Sequence, residues 1–116
     1  MRVLICGSRV WTDKERIRRE LIGLGVGYID CIIEGGARGA DLLSKEVALE
    51  LRILVDEYPA HWKLYGSSAG FIRNGYMLKK GKPDLVLAFI IGNSPGTSNM
   101  IKQARKAEVE VRVFEG

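Results

Sequence analysis

The sequence predicts an α/β fold: a doubly wound, three-layer arrangement of about five parallel strands with helices on both faces. Two observations carry this. Short β-rich apolar runs alternate with longer segments whose apolar residues recur at helical spacing, giving the order βαβαβαβαβ. Three of the strands also end in glycine-rich turns that lead into helices: Gly7-Ser8-Arg9, Gly35-Gly36-Ala37-Arg38-Gly39 and Gly92-Asn93-Ser94-Pro95-Gly96.

Arg2–Cys6 is an apolar strand that stops at the first of these turns. Thr12 or Asp13 can cap a helix running to about Leu24, with Ile17, Leu21 and Leu24 on one face and Gly25 and Gly27 ending it. Tyr28–Glu34 reads as a second buried strand through Ile29, Cys31, Ile32 and Ile33. A helix over Ala40–Leu51 places Leu43, Val47 and Leu51 on a core stripe, and Arg52–Glu57 holds a third short strand. Pro59 breaks the pattern. A looser region follows through Trp62, Tyr65 and Gly66, and then a helix from about Ser68 to Lys80. Asp84–Ile91 is the most apolar strand. Thr97–Ala107 is helical, and Val109, Val111 and Val113 alternate along a last strand ending at Phe114.

At 116 residues the chain reads as one domain, 1–116, with 47% hydrophobic and 28% charged residues, the balance of a soluble globular protein. No apolar run reaches the ~20 residues needed to span a bilayer, so no membrane partner is expected. The apolar start is too short for a signal peptide, which predicts a cytoplasmic protein. Cys6 and Cys31 lie in apolar runs and read as buried free thiols; a reactive thiol at Cys6 is the alternative. One histidine, His61, and no paired Cys or His spacing predict neither a metal site nor a cofactor. The net charge of +4 is uneven: residues 1–58 hold nine Lys/Arg and ten Asp/Glu, residues 59–116 nine and four. Such a surplus suits an anionic ligand or weak nucleic-acid contact, or is simply a solvated basic surface.

The turns indicate where an anion would sit. In open α/β sheets ligands lie beyond the carboxyl ends of the strands, near the switch in strand order. Glycine lets backbone N–H groups approach a ligand closely, and the start of the following helix adds open N–H groups and partial positive charge. Ser8 and Thr97 offer hydroxyls, and Arg9 and Arg38 offer forked bonds to phosphate. Neither GxxxxGK[ST] nor GxGxxG is present, so the cradle is of another kind.

Further candidates lie beside these turns. Asp41, in the first turn of the second helix, is a candidate ribose acceptor, partner of Arg38 or Arg73, or general base; a carboxylate merely favoured by the helix dipole is the alternative. Glu34, at the end of the second strand, is either a second crevice carboxylate or the partner of a neighbouring arginine. Arg73 is placed to reach phosphate and Asn74 to reach a base edge or ribose, unless the pair is a solvated helix face. Trp11 and Trp62 read as core or interface residues, with stacking on an adenine as the alternative. Lys79-Lys80-x-Lys82 is a basic helix end.

Taken in order, the strings Gly7-Ser8-Arg9-x-Trp11-Thr12-Asp13, Glu34-Gly35-Gly36-Ala37-Arg38-Gly39-Ala40-Asp41, Pro59-Ala60-x-Trp62, Gly66-x-x-Ala69-Gly70-x-x-Arg73-Asn74-x-x-Met77, Pro83-Asp84 and Gly96-Thr97 span nearly the whole chain. They resemble the YspA-type branch of the SLOG superfamily, which also includes the LOG cytokinin-activating phosphoribohydrolases and the DNA-processing protein A family. The resemblance implies a Rossmann-like fold with strand order 3-2-1-4-5. It also implies that a nucleotide or nucleotide-derived molecule is bound, in a sensor or sequestering module of bacterial or phage origin. Relatives are often dimers or larger, so a homodimer or higher homo-oligomer is expected, with Ile72, Met77 and Met100 as candidate interface residues.

Gly96 and Thr97 match the GT of the LOG phosphate motif PGGxGTxxE, and Arg73 matches the arginine of its MxxRK segment, with Asn74 in place of the lysine. The LOG catalytic glutamate falls at Asn99 or Met100, neither of which is a carboxylate. The expected ligand-binding set is therefore Gly7, Ser8, Arg9, Gly35, Gly36, Arg38, Gly39, Asp41, Arg73, Asn74, Gly96 and Thr97. A LOG-like N-glycosidic hydrolase of nucleoside monophosphates, with Asp41 or Glu34 as the carboxylate, is one alternative. A weak nucleic-acid-binding protein is the other.

Overall fold

A computed structural model describes residues 1–116. Five strands form one parallel sheet in the order β3-β2-β1-β4-β5. They are β1 (Arg2–Gly7), β2 (Cys31–Glu34), β3 (Leu54–Glu57), β4 (Leu85–Ile90) and β5 (Glu110–Glu115). The helices are α1 (Lys14–Leu24), α2 (Ala40–Glu50), the short α3 (Trp62–Tyr65), α4 (Ala69–Gly81) and α5 (Pro95–Lys106).

Side chains alternate across each strand, so the central strands divide their apolar residues between two cores. Val3, Ile5, Leu85, Leu87 and Phe89 pack against Ile17 and Leu21 of α1 and Val47 and Ala48 of α2. Leu4, Cys6, Ile33, Val86 and Ala88 pack against Met77 of α4 and Met100 and Ala104 of α5. Val109 and Val111 join the second core, while Phe114 turns to the first and stacks on Phe89 at 5.0 Å. The expected alternation along β5 holds as far as Val113, which lies exposed at the sheet edge.

The structure corrects several expectations. The second strand is shorter than Tyr28–Glu34, because Val26–Tyr28 closes a 3₁₀ turn after Gly25. On α2 the buried stripe is Ala40, Asp41, Ser44, Val47 and Ala48, with Leu43 and Leu51 only partly covered. The looser region contains α3 and a 3₁₀ turn at Gly66–Ser68. Met77 and Met100 are core residues under α4 and α5, so they are not available to an interface; Ile72 is half-buried. Trp11 is also core: it packs edge-on against Phe89, and its indole N–H donates to the Asp13 carbonyl at 2.9 Å. Cys6 and Cys31 are buried free thiols. No helix is long and apolar enough to cross a membrane.

Candidate functional site

The strand order reverses between β1 and β4, and a crevice of about 400 Å³ opens there beyond their carboxyl ends. Its walls come from the turns after β1 and β4, from α2 and from α4, and Trp62 stands at its mouth.

Close backbone packing brings these turns together. A Cβ on Gly7 would stand 2.2 Å from the Phe89 carbonyl oxygen, so only glycine lets β1 leave the sheet against β4. Gly39, at φ +75°, lies against Ser8 and Arg9, where a Cβ would come within 2.3 Å of the Ser8 carbonyl oxygen. The Ala40 N–H, at the start of α2, donates to that carbonyl at 3.2 Å. Ser8 closes the third side: its hydroxyl accepts from the Ile91 N–H at 2.8 Å and donates to the Ile91 carbonyl at 3.2 Å. Its one proton is thus committed, and Ser8 shapes the wall.

The start of α5 leaves its first backbone donors open. Pro95 has no N–H, and no atom of the chain accepts from the N–H of Gly96 or Thr97. Ser94 precedes the helix but makes no capping bond; its hydroxyl instead shares a 2.7 Å bond with that of Thr97. A Cβ on Gly96 would meet nothing within 4 Å. Unpaired N–H groups at a helix start bind anions by hydrogen bonding and by the helix dipole.

Two arginines reach this space. Arg9 is exposed at the rim, its guanidinium 5.7 Å from the centre of the Trp62 ring. Arg73 is half-buried: Nη1 donates to the Gly35 carbonyl at 2.6 Å and Nε to Asn74 Oδ1 at 3.1 Å. A Cβ on Gly35 would stand 2.1 Å from that Nη1, so the glycine makes room for the guanidinium. Asn74 is buried and donates from Nδ2 to the Gly96 carbonyl at 3.1 Å and to Asn99 Oδ1 at 3.2 Å. It fastens α4 to the first turn of α5.

Asp41 is the one carboxylate on the crevice wall. It is buried, accepts from the Ala37 N–H at 3.1 Å, and makes no ion pair with Arg38 or Arg73. Burial pushes its carboxyl up. The N–H groups of Ala37 and Gly35 and the guanidinium groups of Arg73 and Arg9 pull it partly back, leaving a pKa of about 6. Cys6, on the crevice floor, is pushed well above the ordinary thiol range by burial first and by Asp41 second.

Glu34 lies elsewhere. It is fully buried beneath the second turn, outside the crevice lining; Oε1 accepts from the Gly36 N–H at 2.7 Å and Oε2 has no partner. Its neighbour is no arginine but Glu57, its register partner on β3. Burial, and then the Glu57 carboxylate, raise Glu34 to about 8, so it keeps its proton at neutral pH. Glu57 holds the charge, its carboxyl lowered by the neighbouring Glu34 carboxyl first and by Lys45, whose ammonium donates to it at 3.3 Å.

Arg38 is exposed and lines an adjoining hollow of about 360 Å³ with Gly35 and Gly36. The two hollows meet at Arg9, Ala37, Trp62 and Arg73. His61 sits just before α3, away from the crevice wall. Ser94, Asn93 and Phe71 line the crevice without having been singled out in the sequence. Ser94-Pro95-Gly96, a helix-start string, was the signal available for the first of these.

Comparison with known proteins adds two findings. A family model described as the YspA, cpYpsA-related SLOG family matches residues 1–65. The Gene 61 protein of Mycobacterium phage D29 is 36% identical over 122 residues, an alignment covering 97% of this chain and 95% of that protein.

Proposed function

The chain belongs to the YspA, cpYpsA-related SLOG family, and from that premise we propose that it binds a nucleotide or nucleotide-derived small molecule in the β1–β4 crevice, as a sensor or sequestering module. The observation that carries the reading is the open start of α5. Two unpaired N–H groups and an empty Gly96 position face a crevice that Arg9 and Arg73 also line. A phosphate takes the cradle. Trp62, exposed at the mouth, offers a face for the base. The family supplies the ligand class in general terms and the crevice supplies the chemistry.

A second reading has one observation in its favour. Asp41 is a crevice carboxylate with a pKa of about 6, in range for proton transfer near neutrality, as N-glycosidic hydrolysis of a nucleoside monophosphate requires. Glu34 does not serve this reading, because it lies outside the crevice and holds its proton.

A thermal-shift panel of nucleoside monophosphates, ADP-ribose, NAD and cyclic nucleotides tests the first reading. A ligand at 100 times its Kd stabilises by about 2.7 kcal/mol, which raises Tm by roughly 10 °C in a domain of this size. Gly96→Ala meets no atom of the chain, so it should keep the fold and weaken the shift. A flat panel overturns the proposal. Base release from a binding monophosphate that Asp41→Asn abolishes would replace the sensor with the hydrolase.

A further inference from the structure

The two helical layers differ in charge. Helices α1 and α2 carry five cations (Lys14, Arg16, Arg18, Arg19, Lys45) and five carboxylates (Glu15, Glu20, Asp41, Glu46, Glu50), and Lys14 and Arg18 bridge the layer by pairing with Glu50. Helices α4 and α5 carry Arg73, Lys79, Lys80, Lys102, Arg105 and Lys106 and not one Asp or Glu. All of these except Arg73 are exposed, as is Lys82 just beyond α4, and none has an acidic partner within 4 Å.

Topology gathers these charges. Both helices lead into parallel strands of one sheet, so they run side by side and end together, at the edge of the sheet opposite the crevice. Lys79 and Lys80 stand in the last turn of α4 and Arg105 and Lys106 in the last turn of α5. A hollow of about 420 Å³ between the helices is lined by Lys79, Lys106 and Gln103. The negative ends of the two helix dipoles sustain this concentration of charge without carboxylates.

We propose that the α4–α5 layer is a docking surface for the phosphate backbone of a nucleic acid, separate from the crevice. Cations on two neighbouring helix ends meet a line charge with one phosphate every few ångströms better than they meet a single small anion. Like charge disfavours a second copy of the same face. A lipid surface fits poorly, because binding there needs apolar side chains that insert. The exposed large apolar residues of these helices are Phe71 and Tyr76, which face the crevice and the hollow beside His61; α5 has none.

The test is fluorescence anisotropy of labelled single-stranded and duplex oligonucleotides on the full chain, across about 50 to 200 mM salt. With four cations engaged, log K against log[salt] for a single strand should have a slope of about −3, at ~0.7 per phosphate. Lys79→Glu/Lys106→Glu should flatten that slope by at least about 1.4. Arg19→Glu/Arg52→Glu changes net charge equally on exposed, unpaired residues outside this layer and should leave the slope unchanged. The neutral pair Lys79→Gln/Lys106→Gln repeats the test should the reversal fail to fold.

Four results would overturn the proposal: no binding at the lowest salt, equal loss in the Arg19/Arg52 control, loss only with Arg9→Ala or Arg73→Ala, or tighter binding to phosphatidylserine vesicles or polyglutamate. The nucleotide panel reads the other end of the sheet, so either proposal can fail alone.

Discussion

Replacing Gly35 by alanine should cost about 2 kcal/mol while Arg73 is present and turn slightly stabilising once Arg73 is gone. Gly35 is buried at the end of β2, and the added methyl would stand 2.1 Å from Arg73 Nη1 and 2.6 Å from its Cζ. The atoms in the way belong to the far end of a flexible side chain, so the backbone stays and the guanidinium leaves. Its 2.6 Å bond to the Gly35 carbonyl and its 3.1 Å bond to Asn74 Oδ1 leave with it. A hydrogen bond from a charged donor contributes about 1.5–3 kcal/mol, and half-burial of Arg73 puts the loss near the middle of that range. In an Arg73→Ala background both the obstruction and the bonds are absent, and Gly35→Ala then stiffens the unfolded chain by about 0.4–1 kcal/mol in the protein's favour. The double-mutant cycle is measured by urea unfolding. In wild type the single change should lower Tm by roughly 8 °C. Additive effects of the two substitutions would refute the reasoning and leave Gly35 a glycine for some reason other than Arg73.

Two further outcomes follow from the buried titratable groups. Glu34 titrates near 8 in the fold against an ordinary 4.5, so its neutral form stabilises the protein: the contribution is full below about pH 4.5 and is lost as pH rises through about 8. The whole shift corresponds to about 5 kcal/mol as an upper bound, because the titration is shared with Glu57. Glu34→Gln keeps the Gly36 bond and removes the titration, so urea unfolding near pH 5 and near pH 9 should show a flatter profile than wild type; parallel profiles would show that Glu34 does not titrate this way. Burial raises both Cys6 and Cys31, so a thiol reagent should modify neither in the folded protein at pH 8 and both in urea. Rapid labelling of Cys6 in the folded state would mean that the crevice floor is open to solvent.

Periodicity made most of the fold legible. Ile17 and Leu21, one helical turn apart, mark the covered face of α1, and the unbroken apolar run Val3 to Cys6 marks β1 as a strand covered on both faces. The chain order of elements, with glycine turns between them, limits a right-handed parallel sheet to few topologies, and the family resemblance selected 3-2-1-4-5. The helix start after β4 was legible to within two residues for a related reason: the turn Gly92-Asn93-Ser94-Pro95-Gly96 precedes the helix read from Thr97, and α5 begins at Pro95 because proline fits a first helical turn.

Pairings across the fold were not legible. Asn74 read as a group free to meet a ligand, yet its amide is spent on Gly96 and Asn99, on a helix reached only after the β4 crossover. Ser8 read as a phosphate donor and is held by Ile91. Glu34 read as a crevice carboxylate or an arginine partner and lies against Glu57 instead, because strand register places the two carboxyls side by side. By itself the sequence determined the five strands, the four long helices, the glycine turns and the uneven charge, all set by neighbours in the chain. Only the tertiary structure decided which polar groups remain free, because hydrogen bonding and desolvation depend on what the fold brings within about 3 Å of each atom.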